Sequence, residues 1–525
     1  MKRYIVYMGV FLALFSSCSD EWLETRPRDL ITYEDFWKTR EQLQSAVAGC
    51  YMSILNDNHI NWEDWRPYEG VVGKMIQWGE IRGDNVIPAG SALDEEKKIA
   101  TCNIIASNGV CNWAGFYSVI NNCNMLLDNA DRVLEFDETI SQSEVNTYKA
   151  EALAIRALMY FYLVRNFKEV PLVTVSSKTN TQEYDIAKSS ERVLLDKIIA
   201  DLELARSQAL VSYDNLTQPY NKGRFTRTSI NALLADVYLW DEQYDQCIKA
   251  CDEVLKDRNV RLIIPRSNNG YEWTSIFTRG NSNESIFELQ YGNSQAGKPN
   301  TMLYQCYGSS AKSAHFVAPL GTSWSLNSLF LKENSKTDFD LNDIRYINGN
   351  SYLTSGTIYK FPQMETASAN WIIYRLAEIY FMKAEALVQL DYEAHKGNAI
   401  HLVNQIWLRA HPLALETDTV YTSLGYNSKQ ELADLILKEK QKEFLFEGKR
   451  WYDLLRTSRR EADPMRVFNL FIERNLDPTY GELIMAKYKN EWARYFPVPL
   501  HDMETNKLLV QNPFYITTID GKPQK

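Results

Sequence analysis

Residues 226–255 read TRTSINALLADVYLWDEQYDQCIKACDEVL, and this stretch decides the fold. Apolar residues recur at helical spacing on both sides of a polar turn at 241–243, which predicts two helices back to back. The apolar positions are Ile230, Leu233, Leu234, Val237 and Tyr238 before the turn, and Tyr244, Cys247, Ile248, Cys251, Val254 and Leu255 after it. A hydroxyl of Thr228 or Ser229 is expected to cap the first helix. Because so short a hairpin cannot bury its own apolar face, it must pack on neighbouring helices.

Small residues lie where the two helices would cross, at Ala235 and Cys247, with tyrosines nearby. A short helical hairpin with small crossing residues resembles a tetratricopeptide unit, although an ordinary αα-hairpin of another helical fold is the alternative. Similar hairpins are predicted at 148–167 with 191–210, at 371–409 and at 431–456. We therefore predict a mostly α fold built on a tetratricopeptide-like helical-hairpin scaffold.

Helical and irregular segments alternate along the chain. Helices are predicted near 33–55, 113–255 and 371–456. Residues 56–100 and 256–365 hold Gly, Asn, Ser and aromatic residues with weak periodicity, and suggest only one strand, at 284–291. We expect these two segments to form an irregular, loop-rich second lobe that packs on the scaffold and does not fold independently. Residues after 456 are predicted to be loops.

The N-terminal residues 1–18 are expected to be a lipoprotein signal peptide. A basic start precedes an apolar segment at 5–15 that is too short to span a bilayer. Two serines and Cys18 follow, and small residues before a Cys resemble the processing site of a bacterial lipoprotein. The acidic run Ser-Asp-Glu at 19–21 resembles a surface-export tag. We expect acylation of Cys18 and a single body over 19–525, with a plain secretory peptide as the alternative.

Charge and cysteine content exclude several classes of site. The net charge is −10, which argues against a nucleic-acid partner because a phosphate backbone binds basic surfaces. The eight Cys become seven without Cys18, an odd number that does not make a disulfide framework. Cys102 and Cys111 could pair. Cys247 and Cys251 are expected to be small core residues.

Motifs for catalysis and metal binding are missing from the sequence. The six His are scattered without HExxH spacing, and neither CxxC, GxSxG, a P-loop nor GxGxxG occurs. We therefore predict no catalytic residue, no metal and no cofactor. Glu443 and Glu447 lie one helical turn apart among lysines, where a salt-bridged helix face is favoured over an acid/base pair. Other carboxylate pairs leave a lipid-anchored glycoside hydrolase as a weaker alternative.

Several blocks in order resemble the SusD/RagB family of outer-membrane nutrient-binding lipoproteins, over nearly the whole chain. Besides the N-terminal site, the blocks are YKAEALAIRALMYFYLVRNFKEVPL (148–172), GRFTRTSINALLADVYL (223–239), IYRLAEIYFMKAEAL (373–387), LKEKQKEFLFEGKRWYDLLR (437–456) and YFPVPLHDMETNKLLVQNP (495–513). The resemblance implies a cell-surface lipoprotein that binds a glycan and delivers it to a SusC-like TonB-dependent transporter. A RagB-like peptide-binding subunit is the alternative.

Ligand-binding residues are expected among loop aromatics. A neutral, polyhydroxylated ligand is held by stacking on aromatic faces and by amides and carboxylates at the rim, and such groups must be exposed. We predict a ligand site formed by Trp65, Trp78, Asp84, Trp273, Tyr291, Tyr304, Tyr307 and Trp324. Trp65 and Trp324 have polar neighbours and are the strongest candidates. About half of these rings are expected to pack in the lobe's own core, since Trp is mostly buried on average.

Overall fold

The structure is a computed structural model, and its fold is mostly helical, as predicted. It describes residues 36–55, 70–177, 184–213, 218–292, 298–308, 310, 312–321, 325–332, 337–346, 350–362, 368–414, 421–473, 478–516, 518–519 and 522–523. Within these ranges no helix is both long enough and apolar enough to cross a membrane.

Helices account for most of the described residues. The first nine are α1 (Arg40–Ile54), α2 (Val71–Glu80), α3 (Asp94–Ala100), α4 (Ala114–Asn129), α5 (Gln142–Phe167), α6 (Glu191–Gln208), α7 (Gln218–Gly223), α8 (Arg227–Trp240) and α9 (Tyr244–Leu255). The next nine are α10 (Tyr271–Arg279), α11 (Thr301–Tyr307), α12 (Leu376–Leu390), α13 (Tyr392–Ala410), α14 (Lys429–Glu443), α15 (Arg450–Arg459), α16 (Met465–Phe471), α17 (Pro478–Tyr488) and α18 (Leu500–Thr505). The last three lie where the sequence predicted loops.

The hairpin of residues 226–255 forms as predicted, with α8 packed on α9. Its cap is Thr226 instead of Thr228 or Ser229, because the Thr226 hydroxyl accepts a hydrogen bond from the Ser229 backbone N–H. Ala235 and Cys247 are fully buried. Two further hairpins form in the same way, α5 with α6 and α12 with α13, and α9 packs on α12. Neighbouring hairpins therefore cover each other's apolar faces, which is the arrangement that repeat helices require.

Strands are short and occur in antiparallel pairs. They are β1 (Ile87–Pro88), β2 (Val170–Pro171), β3 (Lys188–Ser189), β4 (Ser285–Leu289), β5 (Phe316–Val317), β6 (Trp371–Arg375), β7 (Thr518–Ile519) and β8 (Lys522–Pro523). The pairs are β1 with β5, β2 with β3, β4 with β6 and β7 with β8. The predicted strand at 284–291 is β4, and its partner β6 occupies residues that the sequence had assigned to the start of a helix. That helix, α12, begins only at Leu376.

The segment 56–100 is more regular than predicted. Its described part contains α2 and α3, so the expectation of an irregular segment was wrong here. Every residue of α2 is buried, including Lys74, Gln77 and Glu80, which share one side of the helix. The helix is only ten residues long and contains two glycines, which are poor helix formers, so the helical signal in its sequence is weak.

Helix α2 approaches the chain at Gly448 backbone to backbone. A Cβ on Gly79 would overlap the carbonyl oxygen of Gly448. Gly448 itself has φ +70, a left-handed conformation that favours glycine. This residue lies between α14 and α15, within the hairpin predicted at 431–456. Glycine at both positions allows the two segments to touch.

One hydrophobic core cluster joins the loop-rich residues to the helices. It contains Trp273, Tyr307 and Phe316 from the loop-rich stretch together with Trp371 and Trp451. A second, smaller cluster lies among α12, α13 and α14. All seven cysteines in the described ranges, including Cys102 and Cys111, are free thiols, so the suggested pairing of those two is not formed.

Candidate functional site

Three of the predicted ligand-binding aromatics are core residues. Trp78, Trp273 and Tyr307 are buried, and their prediction as exposed stacking rings was wrong. Trp78 lies on α2, stacks on Phe116 at 4.8 Å between centroids and donates to the Val110 carbonyl. The Tyr307 hydroxyl donates to a backbone carbonyl at 2.9 Å. These rings fill the interior, so no ligand face remains on them.

Asp84 was also predicted to bind ligand, and it is occupied inside the molecule. Arg450 donates through Nε to Oδ1 at 2.5 Å and through Nη2 to Oδ2 at 3.0 Å, and the Gln441 amide donates to Oδ2 at 2.9 Å. Asp84 is 1% exposed. The sequence placed Asp84 in a loop. In the structure its buried cationic partner is Arg450, the first residue of α15. Asp84 therefore belongs to a structural ion pair with the distant Arg450, and its assignment to the ligand site was wrong.

The remaining predicted residues divide into two groups. Cys18, Trp65 and Trp324 lie outside the described residues. Tyr291 is half-buried, just after β4, and Tyr304 is 37% exposed on α11. Tyr291 and Tyr304 therefore retain surface that a ligand could reach.

The interior between the loop-rich stretch and the helices holds a network of buried charges, called the charge network here. Its members are Glu284, Asp343, Arg345, Lys360, Arg375, Arg409, Glu439, Glu443 and Glu447. All nine side chains are at most 2% exposed. Arg375 donates to Glu284, Glu443 and Glu447 at 2.9, 2.6 and 2.7 Å. Glu443 and Glu447 are thus ion-paired as expected, although inside the protein and not on a helix surface.

The pKa shifts of two glutamates indicate that the charge network has a structural role. Burial disfavours ionisation of Glu443, but Arg409, Arg375 and Arg345 outweigh it and hold its pKa below the usual range. Arg375 and Lys360 likewise lower the pKa of Glu447 against the effect of burial. A general acid in glycoside hydrolysis requires the opposite, a carboxyl whose pKa is raised and which can reach substrate. Both carboxylates are ionised, and each is ion-paired with buried arginine or lysine side chains.

A polar cluster accessible to solvent lies at the end of the β4–β6 pair. We call Asn281, Gln290 and Asn370 the amide cluster. The Asn281 and Gln290 amides donate to each other's carbonyl oxygens at 2.9 Å in both directions. The Asn370 amide donates to Gln290 at 3.3 Å, and its oxygen accepts from the Tyr291 backbone N–H at 2.8 Å. All three amides and Tyr291 are half-buried, so each retains an accessible part.

A buried carboxyl supports the amide cluster from below. Glu288 Oε2 accepts from the Asn370 amide and from the Asn281 backbone N–H, both at 2.8 Å. Burial raises the pKa of Glu288, and the surrounding hydrogen bonds lower it only in part. Gly280, with φ +65, lies so close to Asn370 that an added Cβ would approach the amide nitrogen to 2.6 Å. The glycine and the carboxyl together fix the orientation of the amides.

Exposed aromatic surface lies next to the amide cluster along the chain. Tyr271 at the start of α10 is 60% exposed, and Arg279 at the end of α10 donates to its hydroxyl at 2.8 Å. Arg279 precedes Asn281 by two residues. Tyr271, Arg279, Tyr291 and the amide cluster form the candidate ligand surface. It combines a stacking ring, a cation and amides, the groups that recognise polyhydroxylated ligands.

Sequence reasoning missed the amides and one exposed ring. Asn281, Gln290 and Asn370 are single polar residues without a motif, and 80 residues separate the last two. Tyr359 is 48% exposed, between the buried Ile358 and Lys360. An alternating pattern of inward-facing and outward-facing residues at 358–360 could have identified Tyr359 as exposed. The same pattern places Lys360 inside the protein, which its charge argues against. In the described part of the chain, no group of three or more His, Cys, Asp or Glu side chains could hold a metal ion.

Two family models match most of the chain between them. One, described as the SusD family, matches residues 342–515. The other, described as starch-binding associating with outer membrane, matches residues 38–239. The chain is SusD-like. The resemblance seen in the sequence is thereby confirmed, and the α8–α9 hairpin begins within the second match.

Similar SusD-like proteins cover nearly the full length of the chain. SusD-like protein P38 of Formosa agariphila is 27% identical over 506 residues, which are 87% of this chain and 93% of that protein. A SusD-like protein of Bacteroides ovatus is 22% identical over 518 residues, 89% of this chain and 84% of that protein. At these identities the relatives support a SusD-like protein and do not show a shared ligand.

Solved SusD-like structures have the same fold. A SusD-like protein from Bacteroides fragilis superposes with a TM-score of 0.66 at 22% identity, covering 93% of this chain and 100% of that one. A SusD superfamily protein from the same species gives a TM-score of 0.69 at 21% identity, covering 90% and 100%. Both matches support the helical scaffold described above.

Proposed function

We propose that this protein is a cell-surface lipoprotein that binds a glycan and delivers it to a SusC-like TonB-dependent outer-membrane transporter. The family model described as starch-binding associating with outer membrane supports the class of ligand and the location. The observation that carries the proposal is the candidate ligand surface, where Tyr291 contacts Asn370 of the amide cluster and Tyr271 is joined to Arg279, two residues before Asn281.

The chemistry of this surface fits a glycan. A side-chain amide offers two N–H donors and a carbonyl acceptor, which match sugar hydroxyls that both donate and accept. The exposed ring of Tyr271 can stack on the apolar face of a pyranose. Because Glu288 and Gly280 hold the amides in place, little side-chain freedom is lost on binding. Trp65, Trp324 and Tyr304 remain proposed contributors of further stacking rings.

The ligand test is a calorimetric titration of the full chain with a panel of oligosaccharides and peptides. We expect an oligosaccharide to bind, and Tyr271→Ala or Gln290→Ala to weaken its affinity roughly ten-fold or more, about 1–2 kcal/mol, with unchanged melting. Tyr184→Ala is the matched control, because this exposed tyrosine lies outside the surface. The same titration of Trp65→Ala and Trp324→Ala tests those residues. Binding of peptides alone would identify a peptide-binding subunit instead.

A binding role is proposed in place of catalysis. The carboxylates of the charge network are all paired with cations, and the one carboxyl described at the amide cluster, Glu288, accepts hydrogen bonds from Asn370 and Asn281. Incubation with the oligosaccharide that binds should therefore release no reducing ends. Steady release that is lost on Glu288→Gln would establish a hydrolase.

The proposed location follows from the N-terminal sequence. Acylation of Cys18 would anchor the body of residues 19–525 in the outer membrane with several acyl chains, where one chain alone binds only marginally. Cys18→Ala should yield soluble or unprocessed protein. Persistence of that variant in membranes, accessible to external protease, would contradict the anchor.

The proposed partner is a large TonB-dependent barrel that this protein covers as a lid. The support is similarity to the SusD family and not a particular described surface. Affinity purification of the native protein in mild detergent should bring such a barrel with it. Recovery of the protein without any outer-membrane barrel, at a detergent concentration that preserves other complexes, would count against the partner.

A further inference from the structure

An exposed tyrosine lies on a hairpin of the loop-rich stretch. Tyr359 is 48% exposed. The hairpin spans residues 351–360, where the backbone N–H of Tyr359 donates to the Ser351 carbonyl at 2.9 Å and that of Leu353 donates to the Thr357 carbonyl at 2.8 Å. In the described part of the chain, the Tyr359 side chain forms no hydrogen bond and no ring contact. Its ring is therefore available to a ligand.

Two contacts bring the segment of Tyr359 against the segment of Tyr271. The Asn350 amide, at the start of the hairpin, donates to the Asn269 carbonyl at 3.2 Å, two residues before Tyr271. A Cβ on Gly270 would approach the Asn350 amide nitrogen to 2.2 Å, so the two backbones touch there. Along these contacts, the Cα atoms of Tyr359 and Tyr271 are at most about 20 Å apart. Exposed single rings are common, but two on touching segments make a surface.

The hairpin also packs on helix α10 from the inside. Lys360 Nζ lies 5.2 Å from the ring centroid of Trp273 and 4.6 Å from that of Phe277, both on α10. Lys360 is fully buried there, whereas its neighbour Tyr359 is exposed, so the two side chains project in different directions. On α10 the same contrast holds between the buried Trp273 and the exposed Tyr271. The two tyrosines therefore emerge on either side of one seam between the hairpin and α10.

We propose that Tyr359 and Tyr271 stack on successive parts of one glycan chain, so that the protein selects long oligosaccharides over short ones. This inference rests on the proposed function. Asn350 lies between the two segments, and its amide nitrogen donates to the Asn269 and Ile344 carbonyls. Its carbonyl oxygen accepts no hydrogen bond within the described ranges, so it can accept one from a sugar hydroxyl. A disaccharide covers one ring, whereas a longer chain reaches both.

The test is a calorimetric titration of the full chain with two lengths of each glycan. The probes are the disaccharide and the heptasaccharide of every linkage in the oligosaccharide panel, maltose with maltoheptaose among them. We expect the wild type to bind the heptasaccharide of one series at least roughly ten-fold more tightly than the disaccharide. Tyr359→Ala should remove most of that difference by weakening heptasaccharide binding, with unchanged melting because the ring is exposed.

Two control variants separate stacking from other effects. Tyr359→Phe keeps the ring and should bind like the wild type, and so should Tyr184→Ala, which removes an equally exposed ring elsewhere. Wild-type heptasaccharide affinity in Tyr359→Ala overturns the inference, as does a wild type that binds both lengths equally. A loss in Tyr359→Phe as large as in Tyr359→Ala overturns the stacking role. Failure of every series to bind is a separate result, because it overturns the proposed function itself.

Discussion

Arg375 and Glu447 form a doubly hydrogen-bonded ion pair inside the protein. Arg375 Nε donates to Glu447 Oε2 at 2.9 Å and Nη2 donates to Oε1 at 2.7 Å. The same Oε1 accepts from the Lys360 ammonium at 2.5 Å. Arg375 ends β6, Lys360 belongs to the loop-rich stretch and Glu447 follows α14. The pair therefore fastens the loop-rich residues to the helices.

Removing one partner of this pair should destabilise the whole molecule. Arg375→Met leaves Glu284, Glu443 and Glu447 buried with too little positive charge, and we expect a loss of about 3–5 kcal/mol in the free energy of unfolding. Urea unfolding followed by circular dichroism measures it. Lys256→Met is the control, because its pair with Glu253 is exposed and should contribute nothing measurable.

The same unfolding curves test our proposal that the mature chain is one body. Loop-rich residues and helices share a hydrophobic cluster and the charge network, so tryptophan fluorescence and circular dichroism should report one coincident transition. Two separated transitions would show that the loop-rich residues fold independently.

Glycine is required at Gly79 because α2 touches the Gly448 backbone there. Gly79→Ala should lower the free energy of unfolding by about 3 kcal/mol, since neither backbone can move away within the core. Gly49→Ala is a matched control in another helix. Nothing lies within 4 Å of a Cβ at Gly49, so alanine there should stabilise by about 0.5–1 kcal/mol. Equal effects of the two substitutions on the urea midpoint would refute this account.

Stability should depend on pH through Glu80. Burial raises the pKa of this carboxyl from 4.5 to about 8, while hydrogen bonds from Gly448 and Asn85 act in the opposite direction. Because the folded state holds the proton more tightly than the unfolded state, the contribution of Glu80 is full below pH 4.5 and is lost as pH rises towards 8. Glu80→Gln, which stays neutral, should flatten the fall in unfolding free energy over this range. An unchanged slope would contradict the assignment.

The acid range should show the opposite behaviour. Cations at Lys442 and Arg345 outweigh burial and lower the pKa of Glu439 to about 2. Its stabilising contribution is therefore present above pH 4.5 and is lost as pH falls towards 2. Glu439→Gln should remove part of the acid-induced decrease in unfolding free energy, measured by urea titration at each pH. A decrease identical to that of the wild type would show that other carboxylates dominate it.

Asp84 should matter for folding and not for ligand affinity. Asp84→Ala leaves the Arg450 guanidinium buried without its bidentate partner, and we expect about 3–5 kcal/mol of lost stability. Calorimetry on the fraction that remains folded should give wild-type ligand affinity. Weakened binding with unchanged melting would return Asp84 to the ligand site.

The scaffold was predictable because its helices are amphipathic and pair with near neighbours in sequence. Residues 226–255 display both apolar faces and the turn, and α8 and α9 follow directly. Helix α2 was missed because it is short and contains two glycines, which are poor helix formers. Trp78 was consequently assigned to a loop and to a ligand. The start of β6 at Trp371 was assigned to a helix because it runs directly into one.

The candidate ligand surface was predictable only in part, because it is assembled from distant residues. Tyr291 was identified as an aromatic residue of the loop-rich stretch, but the amides around it come from beside both strands of the β4–β6 pair. Lys360 would be placed on the surface by its charge alone. Its partner Glu447 is 87 residues away, and only the fold brings the two together.

The long sequence separations between members of the charge network also affect the order in which parts of the chain fold. Glu284 is 91 residues from Arg375 and 125 from Arg409. A chain emerging during synthesis has Glu284 exposed to water well before either arginine, and closing such large loops is slow compared with forming a local hairpin. Until the residues near 447 have emerged, these charges stay in water and keep the segment from collapsing. The loop-rich face is therefore the last part to be assembled, after the helical hairpins on either side of it already exist.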